Sequence, residues 1–151
     1  MTNKMRLRAQ DGEDLAIIAA ILQDARVQVR DLVYMADEGR FLGGFQRYRR
    51  ECASETEGGA SALDECEAAL SFGHVRKAEF RGLEAEDLSQ EYTFFTMTDE
   101  IKNGAVTVTL LFQEGAAVRL ITDRIECRLE DIGEPRPCGS PPPEDEPFDE
   151  G

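Results

Sequence analysis

Apolar positions recur at every second residue through most of this chain, and at helical spacing in one clear place. That place follows Asp11. Leu15, Ile18 and Leu22, flanked by Ile17 and Ile21, give a broad apolar helical face. Asp11 reads as the N-cap, and Glu13 and Asp14 put negative charge in the first turn, where the helix dipole favours it. Before the helix, Met5, Leu7 and Ala9 alternate with Arg6 and Arg8, which predicts a short strand.

The remaining alternation predicts strands. Val27 and Val29 alternate with Arg26, Gln28 and Arg30, and the run continues to Met35. Asp37-Glu38-Gly39 then turns it back into a hairpin partner, Arg40 to Arg49. Gly43-Gly44 within that partner predicts a bulge, a bend or a close backbone approach. Ala68–Phe72 and Val75–Phe80 read as one strand broken near Gly73, and Tyr92–Met97 as an aromatic strand. Asn103-Gly104 is a type I′ hairpin signal leading into Val106, Val108, Leu110 and Phe112. Gly115 makes another turn before Val118 and Leu120. Residues 121–132 fit two periods. Ile125, Cys127 and Leu129 alternate as a strand, while Ile121, Ile125, Leu129 and Ile132 make a helical stripe. The strand is favoured. The sum is an α+β domain: an antiparallel, strongly curved sheet or partly closed barrel of about seven or eight strands, with one N-terminal helix.

Proline usage divides the chain. All six prolines lie between Pro135 and Pro147. They predict one domain over residues 1–132, with 51–65 as a polar surface loop and 133–151 as a disordered acidic tail outside the sheet. Pro141-Pro142-Pro143 favours extended polyproline II, and Phe148 is the tail's single large apolar group.

The formal net charge of −14 argues against nucleic acid and anionic membrane surfaces as partners. No apolar run is long enough to span a bilayer, and the acids after Arg8 do not suit a signal peptide, so a cytoplasmic location is expected. Cys52, Cys66, Cys127 and Cys138 form no C-x-x-C pair and share one imidazole, His74, so neither a metal nor another cofactor is expected. Cys127 reads as a core thiol, and the other three as residues in polar surroundings.

M-R-L-R-A-Q-D-G-E-D-L-A-I-I-A-A-I-L-Q-D-A, R-F-L-G-G-F-Q-R-Y-R-R-E, G-A-V-T-V-T-L-L-F-Q-E-G-A-A-V-R-L and I-E-C-R-L-E-D-I-G together resemble a family of small bacterial proteins known only as a domain of unknown function. The similarity runs from about Met5 to Gly133. It departs at Gly43 and Gly44, where larger aliphatics are expected, and near Arg50, where an aromatic is expected. The resemblance implies no activity and transfers no site residues.

Candidate chemistry concentrates in one stretch. Arg40, Arg47, Arg49 and Arg50, interleaved with Phe41, Phe45 and Tyr48, form a basic-aromatic segment in an acidic protein. Guanidinium groups bind carboxylates and phosphates bidentately, so these four arginines are candidate anion ligands. Arg76, Lys77 and Arg81 join them if their strand pairs nearby. Strand alternation puts Phe41, Phe45, Arg47 and Arg49 on one face and Tyr48 and Arg50 on the other. The bland alternative is that these bases merely pair with surface acids. Tyr48 and Phe95 are candidate interface aromatics, Phe95 because it points away from Phe94. His74 sits at a strand break with no recognisable nucleophile motif beside it. The preferred function is a non-enzymatic interaction or scaffold domain with a protein partner or a second copy of itself. The alternative is a small-molecule or anion-binding domain using the Arg40–Arg50 strand. An enzyme comes third, and needs a concave pocket that brings carboxylates to His74.

Overall fold

Asp11 ends the first strand and starts the helix. Strand β1 (Arg6–Ala9) leads to Asp11, whose carboxylate accepts a hydrogen bond from the Asp14 amide at 2.9 Å, capping α1 (Gly12–Leu22). The computed structural model describes residues 4–49, 64–83, 87–133 and 136–137. After the helix come β2 (Arg26–Gln28), a 3-10 turn at Val29–Asp31, and β3 (Leu32–Met35). A second 3-10 turn, Ala36–Glu38, closes on Gly39 in the left-handed region (φ 63°) and opens β4 (Arg40–Tyr48). The rest are β5 (Asp64–Phe72), β6 (Val75–Arg81), β7 (Glu91–Lys102), β8 (Ala105–Phe112), β9 (Ala117–Thr122), β10 (Cys127–Asp131) and β11 (Arg136–Pro137).

The strands form one sheet in the order β1-β10-β5-β4-β2-β7-β8-β9-β6, with β3 added beside β4 and β11 beside β5; every pairing is antiparallel. The α+β reading with one helix and an antiparallel sheet is the architecture found. The strand count is higher than expected, and the sheet is curled without closing. β6, at one end of the path, folds back toward β3 and β4: the Val75 amide donates to Gly39 O at 2.8 Å, the Tyr34 hydroxyl donates to Val75 O at 3.3 Å, and the Phe80 ring lies 6.2 Å from that of Phe41. β1 remains at the other end.

The core fills the curl. Phe41, Phe45, Leu70, Phe72, Phe94, Leu110, Phe112, Leu120 and Leu129 are all buried, with Leu15, Ile18 and Leu22 of the helix packed against them. Phe45 meets Phe94 edge-on at 5.9 Å, and Phe94 meets Phe112 the same way at 6.2 Å.

Several strand assignments sharpen. The run to Met35 is two strands: β2, which bridges β4 and β7, ends at Gln28, and only β3 makes the hairpin with β4. β5 and β6 are separate strands, because His74 takes a left-handed φ of 57° and reverses the chain. Residues 121–132 are strand on both sides of a turn rather than helix. Asn103 (φ 53°) and Gly104 (φ 80°) both have positive φ, as a type I′ turn requires. Pro137 pairs with Asp64, so the sheet extends past Ile132 into the proline-bearing stretch. A proline is accommodated there because β11 needs a partner on one side alone. Asp64 and Glu65, placed in the loop by the sequence, begin β5; residues 51–63 and 138–151 lie outside the described residues.

Gly43 and Gly44 carry no bulge, since the β4–β5 register is continuous from Phe41 to Tyr48. Gly43 is instead a close approach. A Cβ there meets Phe45 Cε1 at 2.9 Å and Leu32 Cδ2 at 3.3 Å. Gly43→Ala is therefore expected to destabilise the fold by about 1–3 kcal/mol. Urea denaturation checks this through a lower midpoint at unchanged slope. An unchanged midpoint shows that the Phe45 ring has room to move.

Candidate functional site

The basic strand splits its arginines between two faces. Phe41, Gly43, Phe45 and Arg47 point into the curl, and Arg47 is fully buried. A buried guanidinium demands a partner, and Asp131 of β10 supplies one in fork geometry: Arg47 Nε and Nη2 each donate to an Asp131 carboxylate oxygen at 2.8 Å. Arg47 Nη1 donates to Tyr48 O at 3.3 Å. Asp131 Oδ2 also accepts from the Met5 amide at 3.0 Å, and the Asp131 amide donates to Met5 O at 2.9 Å. Burial alone raises the Asp131 carboxyl, but the Arg47 and Met5 hydrogen bonds and the charges of Arg47 and Arg49 outweigh it and hold it below the usual carboxylate value. Beside this pair, Cys66 is buried rather than in polar surroundings; its thiol donates to Gly133 O at 3.2 Å, and burial and the Asp131 charge push its pKa up.

The other sequence-proposed residues scatter. Arg49 is nine-tenths buried, with Nη1 3.5 Å from Asp64. Arg50 lies outside the described residues. Tyr48, proposed as an exposed interface aromatic, is 2% exposed, because it pairs in register with Glu65 on a part of the outer face that is itself covered. Phe95 is 51% exposed; a register shift between Phe94 and Thr96 makes it the extra residue of a bulge, which turns its ring outward beside Ala16, Ala20 and Gln23 of the helix. Arg76, Lys77 and Arg81 stand on β6, far along the sheet path from Arg47, and Arg76 and Lys77 pair with Asp123 and Glu79. Arg40 alone of the four candidate arginines is exposed among the described residues.

Arg40 lines an open cleft of about 360 Å³ with Glu38, Ser71, Gly73, His74, Glu126 and Arg128. The register explains the convergence. Arg128 stands opposite Ser71 across β10 and β5, and Arg8 stands opposite Arg128 across β1 and β10. Just past the Phe41–Phe72 pair, Arg40 flanks Gly73 on one side, and Glu126 flanks it on the other, where the Gly73 amide donates to Glu126 O at 2.9 Å. Without a side chain, Gly73 leaves a hollow between them. Glu126 Oε1 lies 2.6 Å from His74 Nε2, and Arg124 Nη2 lies 3.0 Å from the same nitrogen. One ring nitrogen can donate to the carboxylate or accept from the guanidinium, but not both. The cleft brings one carboxylate, Glu126, to the histidine, and among the described residues no hydrogen bond joins Ser71 to His74. Among the described residues no cluster of His, Cys, Asp and Glu is placed to hold a metal ion.

A second cleft, about 250 Å³, continues along the same face between Arg6, Arg8, Arg128 and Glu130. Arg6 is 3.9 Å from Glu130 and Arg128 is 3.9 Å from Glu126, while Arg8 and Arg40 make no ion pair among the described residues. The outer face of β1, β10 and the start of β4 thus gathers four arginines, with Glu38, Glu126 and Glu130 standing among them.

A family model described as a protein of unknown function (DUF2948) matches residues 5–144. The chain belongs to this family. The DUF2948 match runs eleven residues past Gly133, where the sequence resemblance stops, and so takes in β11. No curated protein matches the chain, and no solved structure matches it. DUF2948 brings no assigned activity, so the reading of the clefts rests on their geometry.

Sequence reasoning missed Arg8, Arg128 and Asp131. Their outward or inward direction follows from the alternation of Arg6, Arg8, Arg128 and Glu130, but the pairing of the first strand with the last does not.

Asp131→Asn is expected to cost about 3–5 kcal/mol at neutral pH, because it leaves a buried, uncompensated guanidinium. Pairing Arg47→Met with Asp131→Leu is expected to recover most of that loss. The native carboxyl titrates below its unfolded value of about 3.9, so its contribution is complete above that pH and is lost as pH falls through the native value. The stability gap between the native chain and Asp131→Asn, measured by urea denaturation from pH 7 to pH 3, should narrow below about pH 4.

Proposed function

We propose that the chain is a non-enzymatic binding domain that holds an anionic group, phosphate or carboxylate, on the outer face where Arg8, Arg40 and Arg128 rise around Ser71 and Gly73. The observation that carries this is the direct cross-strand register of Arg8 and Arg128. Like charges opposite each other on a sheet face cost stability, and an anion between them relieves that cost. Arg40 adds, in the adjoining cleft that Arg128 also lines, a guanidinium with no ion pair among the described residues. The overall charge of −14 opposes anions at long range. At physiological salt, however, screening sets in over about 8 Å, so the guanidiniums in contact with the ligand decide the balance.

A second reading, docking of a protein partner, draws support from Phe95. Its bulge places an aromatic ring in the open beside the small residues Ala16 and Ala20.

Calorimetric titration with pyrophosphate and with a tetraglutamate peptide tests the anion reading. Arg8→Gln, Arg40→Gln and Arg128→Gln should each weaken binding about five- to tenfold. Arg119→Gln, on β9 and 3.4 Å from Glu79, should leave it unchanged. Equal losses for all four variants would show bulk electrostatics rather than a site. A Phe95→Ser change that alters partner capture while leaving anion titration intact favours the second reading.

A further inference from the structure

We infer that the cleft beside Gly73 takes a small zwitterion, a carboxylate and an ammonium on one short backbone such as an amino acid or dipeptide carries. The carboxylate faces Arg40 and Arg128, and the ammonium faces Glu38 and Glu126. The inference rests on the anion-binding reading above and narrows its ligand. The charges lining the cleft carry it. Two guanidiniums, Arg40 and Arg128, and two carboxylates, Glu38 and Glu126, stand around a space of about 360 Å³. A dianion there meets both carboxylates, and a simple cation meets both guanidiniums. A ligand with one charge of each sign can set each against its opposite.

These charges are not spent on one another. Glu38 and Arg40 make no ion pair among the described residues, although Gly39 alone separates them in the chain. The 3-10 turn Ala36–Glu38 and the left-handed Gly39 (φ 63°) leave Glu38 on the turn and Arg40 on β4. Glu126 and Arg128 approach only to 3.9 Å, and the other Glu126 oxygen lies 2.6 Å from His74 Nε2. An exposed pair at the longer distance is weak, so a ligand displaces little in engaging either partner. The Ser71 hydroxyl, which also lines the cleft, makes no hydrogen bond among the described residues and is open to a polar ligand.

The cleft is also preformed. The Val75 amide donates to Gly39 O at 2.8 Å, the Gly73 amide to Glu126 O at 2.9 Å, and the Asp123 amide to His74 O at 3.0 Å. The three segments that carry the charges are thus tied together through their backbones, and a ligand does not have to order them. The volume lies near the lower end of the range for small-molecule sites, about 300–1,000 Å³, which suits a short ligand. Gly73 provides part of that space. A Cβ there meets Glu126 Oε1 at 3.6 Å and Glu126 Cδ at 3.7 Å, both ordinary contacts, and Gly73 has no positive φ. Gly73→Ala therefore puts a methyl group into the cleft without straining the fold.

The test is an NMR titration of the full chain at pH 7 with diglycine, whose ammonium is protonated at that pH. N-acetyldiglycine, diglycine amide and pyrophosphate are titrated beside it. Diglycine should produce saturable shifts at the Gly73 amide and at the Nε–H groups of Arg40 and Arg128. Blocking either end of the dipeptide should weaken binding about fivefold. Glu38→Gln should weaken diglycine by a similar factor and should not weaken N-acetyldiglycine. Gly73→Ala should weaken diglycine several-fold at an unchanged urea midpoint. Equal binding of diglycine and N-acetyldiglycine overturns the inference and leaves the anion reading standing, as does pyrophosphate binding without diglycine binding. Diglycine binding that survives Gly73→Ala at full strength also overturns it, because the ligand then sits elsewhere. Diglycine binding without pyrophosphate binding supports it and restricts the broader reading to carboxylates. Failure of all four compounds to bind overturns both readings.

Discussion

A buried ion pair ties the first and tenth strands to the fourth. Arg47 lies on β4 and Asp131 on β10, with β5 between them, and the same carboxylate takes the amide of Met5 just before β1. Two strands and the residue before β1 therefore meet at one carboxyl group. The pair is excluded from water, with side-chain exposures of 0% and 1%, so neither partner tolerates loss of the other. An apolar pair of similar size would be as stable. What the ionic pair adds is direction, because a fork of two parallel hydrogen bonds fixes where β10 lies against β5, and hence where β1 lies against β10.

That registration has a consequence on the opposite surface. In a sheet, fixing an inward residue fixes its outward neighbours. With Asp131 and Leu129 facing in, Arg128 and Glu130 face out, and Leu129 opposite Leu7 brings Arg8 level with Arg128. A slip of one residue would put Arg128 into the core and Asp131 into water. The cost of either keeps the two arginines aligned, although their mutual repulsion opposes it. The buried pair and the exposed pair are thus two sides of one register, and the first supplies the stability that the second lacks.

How much of this is legible in the sequence depends on how local it is. The Asp11 cap, the apolar stripe of α1 and the Asn103-Gly104 turn depend on residues within a few positions of each other, and all three are found. The pairing of β1 with β10 joins residues more than a hundred positions apart, and no local pattern encodes it. The break between β2 and β3 leaves a faint mark: after Val27 and Val29 the next position in phase is Asp31, and the apolar residue falls instead at Leu32, beyond the 3-10 turn. The Arg40–Arg50 segment reads as one basic unit only while charge is equated with exposure. Alternation does put Arg47 beside Phe41 and Phe45. That face is core, so Arg47 belongs to the interior, where an arginine needs a carboxylate more than a ligand. His74 illustrates the remaining limit. Its positive φ is imposed by a reversal tied down at the neighbouring residue, Val75 N to Gly39 O, and at His74 itself, whose carbonyl accepts from Asp123 N at 3.0 Å. Sequence marks the break at Gly73 but not the residue that bears it.

The division of the arginines also bears on how an acidic chain can keep exposed arginines. Arginines dispersed among many acids would each be neutralised by a nearby carboxylate, as Arg26 is by Glu65 at 2.6 Å. On the outer face of β1 and β10 the nearest carboxylates stand at the limit of ion pairing: Glu126, whose other oxygen lies by His74, is 3.9 Å from Arg128, and Glu130 is 3.9 Å from Arg6. Asp131, adjacent in sequence to Glu130, is withdrawn entirely by Arg47. That carboxylate is thereby kept from the surface on which Arg8 and Arg128 stand. A substitution that freed Asp131 would destabilise the core and also return a negative charge to the region of β10 and β1. If the outer arginines hold an anion as proposed, its affinity should follow the integrity of the buried pair even though no ligand touches that pair.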